Sequence, residues 1–369
     1  MHRAFDPARL TQARELSGYT KKRLAEQIGV TAAAVSQYEL STAKPRPHLL
    51  PRIADVLDVP MAFFLAGRPR ADLDNSAAHF RSLRSARAYQ RAKAIAYTEQ
   101  AWELTHALEK RVQLPWTDLP GFASGEVHLD AELATGPITA ARRLRTRWQL
   151  GDGPVTHLVR RMETHGIVVL TPSTADADSA AVDAFSTSRL PRPVVVLTPN
   201  RANDVYRQRF TAAHELGHLV LHCDTAPGDT VHERQADAFA AEFLTPRDSI
   251  LPHLPARADF RRLADLQRTW GVSVKSLLYR CRETGLLSDS AASRAYQRLN
   301  TLQGQPGFKP ESVSGYPGEQ PKMLAQAFRL ACDNGLTLGA LAEELAWRTD
   351  RVQELLGIAD SRPKLRLLE

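Results

Sequence analysis

Two histidines four residues apart, with a glutamate after the first, stand at His214-Glu215-Leu216-Gly217-His218. Residues so spaced share one face of a helix, and 210–222 reads as helix, so both imidazoles can reach a single metal ion. Glu215 then falls beside them as a base toward water. Catalytic zinc usually takes three protein ligands. His222 continues the i+4 series, but it lies about 12 Å along the axis from His214, too far for both to close on one ion. The next helical segment offers two carboxylates one turn apart, Glu233 and Asp237, on a stretch whose Ala236, Phe239, Ala240, Phe243 and Leu244 form an apolar stripe. Glu233 is the candidate third ligand, and Asp237 is placed to orient a histidine through its distal N–H. Tyr279 and Arg280 are considered as oxyanion donors against a packing role. Cys223 reads as a small residue ending a helix rather than a ligand.

A second chemistry is written near the start. Thr20 and Thr31 can each cap a helix with a side-chain oxygen, and Gly29 between them suits a turn through positive φ. Ala25 is small enough for close helix approach, and Val35 faces back into a small core. Residues 1–70 hold eleven Lys/Arg against six acids, five of the seven net positive charges of the chain. A local basic excess of this kind suits nucleic acid better than a basic total does.

Around these sites, apolar spacing predicts short helices over 5–66, one long helix over 80–112 and two helices over 137–165. Arg81, Arg84, Arg87 and Arg91 lie on one face of the long helix, read as solvated or as a dock for another domain. The period then shortens: 166–170, 182–186 and 194–197 are β-type runs between turn residues. Helix resumes over 203–287, where 259–287 reads as a helical pair closing the core. Eight Gly or Pro among residues 303–321 predict a linker. A last helical unit over 322–357 reads as a partner-binding or dimerisation element, or less readily as a second DNA-binding module.

The 369 residues, 43% hydrophobic and 24% charged, exclude a wholly disordered chain. No apolar run reaches the roughly 18–20 residues of a membrane helix, and the first residues lack the apolar stretch of a signal peptide. Three scattered cysteines, Cys223, Cys281 and Cys332, argue against a disulfide framework and for a reducing, cytoplasmic setting.

The run from Thr20 to Pro45 resembles the Xre/Cro family of helix-turn-helix repressors over about 60 residues. The resemblance implies that the helix from Thr31 to Glu39 enters the major groove, with Thr31, Ala32, Ala33, Ser36 and Gln37 on the DNA side and Lys44 and Arg46 on phosphates. Gln37 can pair with adenine and the alanines can touch thymine methyls; alanines where such helices often carry longer polar residues leave the readout thin. His214 to Pro246 resembles the ImmA/IrrE family of metallopeptidases, departing mildly at Phe243-Leu244-Thr245-Pro246. That resemblance implies Zn2+, peptide hydrolysis and regulatory protein substrates, and the family also occurs fused to Xre-type heads. Residues 194–197 are expected as an edge strand that pairs with extended substrate.

The expected architecture is multidomain, mainly α with a small β-sheet. An all-α helix-turn-helix head (1–67) is followed by a connecting helix and linker (68–130), an α+β zincin-like peptidase domain (131–300), a Gly/Pro linker (301–321) and a helical C-terminal unit (322–369). The expected function is a transcriptional regulator that binds a double-stranded DNA operator, as a homodimer on paired half-sites, and cleaves a partner repressor or itself in response to a signal. The alternative is a non-catalytic repressor or antitoxin-like regulator that uses the zincin-like domain as a sensing or partner-binding scaffold. Neither reading involves a membrane.

Overall fold

The computed structural model describes residues 4–71, 73, 87–120, 136–172, 184–198, 203–222, 230–302, 304–305 and 308–358. Its head is four short helices, α1 (Pro7–Leu16), α2 (Lys21–Ile28), α3 (Ala32–Glu39) and α4 (Leu49–Val56), closed by a 3-10 turn at Met61–Phe64. The predicted caps form: Thr20 Oγ1 accepts the Arg23 amide and Thr31 Oγ1 the Ala34 amide, both at 3.1 Å. Gly29 ends α2 at φ 74°, a left-handed conformation that costs glycine no Cβ clash. Leu10, Leu24, Ile28, Val35, Ile53 and Phe63 fill the core, and Arg14 binds Glu39 at 2.5 Å to tie α1 to α3.

The long helix α5 (Ala88–Glu109) is buried along most of its length, including Ala94, Ala101, Leu104 and Leu108. It is therefore a spine rather than a solvated connector. The head packs on it through α1, and the C-terminal helices α14 (Met323–Asp333), α15 (Leu338–Leu345) and α16 (Thr349–Leu356) pack on it as well. Head, spine and C-terminal unit share one continuous apolar core. Of the basic face read along this helix, Arg81 and Arg84 lie outside the described residues. Arg9, fully buried, crosses from head to spine by donating to Glu103 Oε1 at 2.5 Å and to Gln12 Oε1 at 2.8 Å. Arg68 joins this knot and reaches the Leu345 carbonyl of α15.

Between head and C-terminal unit lie α6 (Pro137–Arg147), α7 (Leu158–Thr164), strands β1 (Val168–Leu170), β2 (Phe185–Thr187) and β3 (Val194–Val196), then α8 (Val205–Leu221), α9 (Thr230–Leu244), α10 (Arg247–Ile250), α11 (Phe260–Trp270), α12 (Val274–Glu283) and α13 (Asp289–Leu302). The strand order is β1-β3-β2, with β3 parallel to β1 and antiparallel to β2. This corrects the expectation for residues 194–197: β3 is central and both its edges are paired. The outer strands of the sheet are β1 and β2, and β2 is the one that carries Ser186. Val168, Leu170, Val194 and Val196 face the head-and-spine core, while Val169 and Val195 face the second core beneath α8. Burial on both faces explains why β1 and β3 are apolar throughout rather than alternating.

The stretch read as a linker is instead docked where it is described. Glu319 is 2% exposed. Its carboxylate accepts the Leu158 and Val159 amides that open α7, at 2.9 and 3.3 Å, and it pairs with Arg209 of α8. Tyr206 of α8 donates to Glu311 at 2.8 Å. Gly and Pro serve here to turn the chain tightly against the domain rather than to free it.

The corner between α15 and α16 repeats the build of α2 and α3: an eight-residue helix capped by a threonine, a left-handed residue (Ala346, φ 50°), and a second eight-residue helix. By register, Asp350 and Glu354 stand where α3 has Ala33 and Gln37. Two acids at those positions oppose phosphate, and the apolar side of the unit is already committed to α5. No described helix is long and apolar enough to cross a membrane.

One pH dependence follows. Glu163 Oε1 accepts the Lys322 and Met323 amides at 2.8 and 2.9 Å, capping α14. Burial pushes its pKa from 4.5 up to about 7, against the pull of those amides. Between these values the folded chain holds a proton that the unfolded chain has released, so stability falls as pH rises from about 4.5 to 7. Relative to wild type, Glu163→Gln should gain stability across that window, by at most about 3 kcal/mol. Paired thermal melts at pH 5 and 8 check this, and an equal wild-type-to-variant difference at both pH values refutes it.

Candidate metal centre

The site is assembled by two helices held unusually close. A Cβ on Gly217 of α8 would sit 3.0 Å from the Phe239 ring and 3.3 Å from the Ala236 Cα of α9. Glycine on one helix and alanine on the other therefore let the backbones approach, which brings a carboxylate of α9 up to the imidazoles of α8. Asp204 caps the start of α8 by accepting the Arg207 amide at 3.1 Å. Arg209 anchors it sideways to the Gly271 and Val155 carbonyls at 2.8 and 2.6 Å.

His214 Nε2, His218 Nε2 and Glu233 Oε2 form a triangle with sides of 3.1, 3.2 and 3.6 Å. For bonds of about 2.0–2.1 Å, the corners of a tetrahedral zinc site lie about 3.3–3.4 Å apart. Among the described residues these three are the group of side chains able to hold a metal ion. Two ring nitrogens and a carboxylate oxygen turned on one point form a donor set that a cation satisfies, and the residues fit zinc. Asp237 Oδ1 lies 2.8 Å from His214 Nδ1 and accepts from that ring nitrogen. Burial works against a charged His214, yet its hydrogen bonds to Asp237 and Glu233 and the field of Glu215 hold its pKa up at about 10. Burial likewise opposes ionisation of Glu233, but the two histidines hold its carboxyl well below the usual range. The pocket is thus built around a positive charge.

Glu215 is 4% exposed and does not join the triangle. Burial raises its pKa, partly countered by His218 and His214. Ser186 Oγ donates to its Oε2 at 2.8 Å from the middle of β2. Sequence reasoning did not single out Ser186; the available signal was a hydroxyl directly after Ala184-Phe185 in a β-type run. His222 lies outside the triangle but does reach the site. Its Nδ1 lies 3.1 Å from His218 Nδ1, and its Nε2 lies 2.9 Å from Gln235 Oε1. Burial pushes His222 down to about 4, so it is neutral. The consistent tautomer has His218 Nδ1–H donating to His222, whose Nε2–H donates to Gln235. Both histidines of the triangle thereby have their distal nitrogens held.

The two oxyanion candidates are not drawn in. Arg280 is 3% exposed and is bound to Glu242, Glu283 and Thr245, and the Tyr279 side chain lies exposed with Arg282 over its ring. Packing wins at both. Cys223 lies outside the described residues.

In the head, Thr31 uses its hydroxyl as the α3 cap. Ala32, Ala33 and Gln37 are exposed on the outer face of α3. Ser36 is half-buried and accepts from Lys21 Nζ at 3.2 Å, so a lysine that the motif did not flag stands at the reading face. Lys44 and Arg46 are exposed just beyond it. Docking of the head on α5 uses α1 and leaves this face open.

Residues 162–282 match the family model of the IrrE N-terminal-like domain, a peptidase family of the M78 class. Residues 10–64 match a helix-turn-helix family model. The chain is similar to the SPbeta prophage-derived uncharacterized HTH-type transcriptional regulator YonR of Bacillus subtilis (strain 168), at 33% identity over 67 residues. That match covers 18% of this chain and 62% of the relative's length. The chain therefore combines a helix-turn-helix domain with an M78 peptidase-like domain.

Proposed function

We propose that the chain is a DNA-binding transcriptional regulator whose zinc centre hydrolyses a peptide bond in a regulatory protein, either a partner repressor or the chain itself, in response to a signal. The observation that carries the reading is the ligand triangle with a separate, buried carboxylate beside it. A purely structural or sensing metal site has no use for Glu215 or for the serine that holds it.

His214, His218 and Glu233 would hold the zinc, whose Lewis acidity polarises a peptide carbonyl and makes water a better nucleophile. Ser186 occupies Glu215 Oε2, while Oε1 accepts no hydrogen bond among the described residues. Glu215 then takes a proton from water on that oxygen and delivers it to the departing amine nitrogen, as a base followed by an acid. Burial keeps its carboxylate basic enough to take the proton. Asp237 and His222 keep the two imidazoles in the ligating tautomer.

The test is to incubate the zinc-loaded chain with candidate repressors and alone, and to weigh the fragments. A single new pair of termini is expected, and an intact mixture under every condition overturns the reading. Ser186→Ala should lower kcat about tenfold with unchanged zinc content, since losing the hydrogen bond frees the Glu215 rotamer; unchanged kcat would remove Ser186 from the mechanism.

For the head, we propose that Thr31, Ala32, Ala33, Ser36 and Gln37 approach base edges and that Lys44 and Arg46 contact phosphates, with two chains on paired half-sites. Replacing Lys44 and Arg46 by alanine should weaken operator binding and reduce the slope of log K against log salt by about 1.8. Gel shifts across a salt series measure it, and an unchanged slope would place both residues off the DNA.

A further inference from the structure

A cavity of about 480 Å3 opens between the chain leading into α11 and the exposed face of α13. Phe260, Leu286 and Leu287 line its apolar part, and alanines of α13 leave it room. Three arginines stand around it: Arg257 from the loop, and Arg294 and Arg298 one turn apart on α13. No acidic residue lines it. The two nearby acids are engaged elsewhere, Asp259 by the Arg261 and Arg262 amides at 3.0 and 3.1 Å and Asp289 by Arg282 at 3.5 Å. Among the described residues none of the three arginines makes an ion pair.

Three arginines lining a partly apolar hollow that no acidic residue lines form an arrangement whose own field favours an anion. Guanidinium groups suit phosphate or carboxylate through paired N–H donors, and the apolar part suits a ring or short hydrocarbon body. The volume falls within the roughly 300–1,000 Å3 of small-molecule sites. We propose that this cavity binds a small organic anion, a phosphate or polycarboxylate carrying an apolar body. The site is separate from the metal centre and does not depend on cleavage. Leu286 and Leu287 of its lining follow α12, and the Leu287 amide donates to the Cys281 carbonyl of that helix at 3.0 Å; the neighbouring Arg280 grips Glu242 and Thr245 at the end of α9, the helix that bears Glu233 and Asp237. An occupant would therefore press on the turn after α12, a helix tied through Arg280 to the end of the helix that bears Glu233, which makes the cavity a place for the signal to enter.

Calorimetric titration of the zinc-loaded full chain with 1-naphthyl phosphate tests the proposal, with 1-naphthol as the neutral control. One molecule should bind per chain, at least tenfold more tightly than 1-naphthol and at least tenfold more weakly to the double variant Arg294→Ala/Arg298→Ala. Both arginines are exposed, so the variant should melt with wild type and keep its zinc. Absence of binding, or equal affinity of the variant, overturns the proposal; phosphate binding directly to the zinc would appear as the latter. Equal affinity for 1-naphthol also overturns it. Loss of operator affinity in the variant, with 1-naphthyl phosphate binding unchanged, would make the arginines a DNA contact instead.

Discussion

Glu215→Gln should lower the rate of peptide cleavage by about 1,000-fold or more while the chain binds its full complement of zinc. Glutamine keeps the shape and can still accept the Ser186 hydroxyl that now holds Oε2 at 2.8 Å, but it cannot take a proton from water. General-base steps are worth about 100- to 10,000-fold, and three decades correspond to about 4 kcal/mol of barrier. The ligands are other residues, so zinc stoichiometry should not change. Stability should hold or rise, because burial already disfavours the charged Glu215 and the amide is neutral. Cleavage kinetics together with metal analysis check the pair of outcomes. A variant that still cuts at the wild-type rate would move the base elsewhere; one that loses zinc would make Glu215 part of the binding set.

Arg9→Leu should destabilise the chain by about 3–5 kcal/mol, the usual cost of removing one partner of a buried ion pair. Arg9 is fully buried and donates to Glu103, Gln12 and the Pro69 carbonyl at 2.5, 2.8 and 2.8 Å. Its loss leaves Glu103 buried with Arg68 at 3.5 Å as the remaining cation. The effect should appear as loosening of the head from α5, read by urea unfolding and by limited proteolysis. Leucine at Arg9 combined with methionine at Glu103 should recover much of the loss, since both desolvated charges are then gone. Among the described residues Arg9 Nε lacks a partner, so the knot is imperfectly satisfied, and its value lies in orientation more than in stability. If the single replacement costs under 1 kcal/mol, the knot does not hold the head.

Local rules carried the reading as far as helices carry chemistry. The i+4 spacing of His214 and His218, and of Glu233 and Asp237, is a property of helix geometry and survives any tertiary arrangement. The same holds for the caps at Thr20 and Thr31 and the turn at Gly29. Ser186 was not legible in this way, because it acts across a gap of twenty-nine residues that no periodicity spans. Residues 303–321 misled for a related reason: Gly and Pro signal a turning backbone, but whether that backbone is free or docked depends on a distant partner, here Arg209 with Glu319.

The amino-acid order by itself thus determined the chemistry of the pieces: a helix with two imidazoles, a helix with two carboxylates, and a basic helical corner. Only the tertiary structure decided that β3 lies between β1 and β2, that α5 is a buried spine, and that head and C-terminal helices share one core. The physical reason is range. Helix faces and caps are set by neighbours within about four residues, whereas strand order and core membership are set by apolar surface that can be buried against several partners. That choice is made by how closely whole elements pack, as Gly217 against Phe239 makes it at the metal centre.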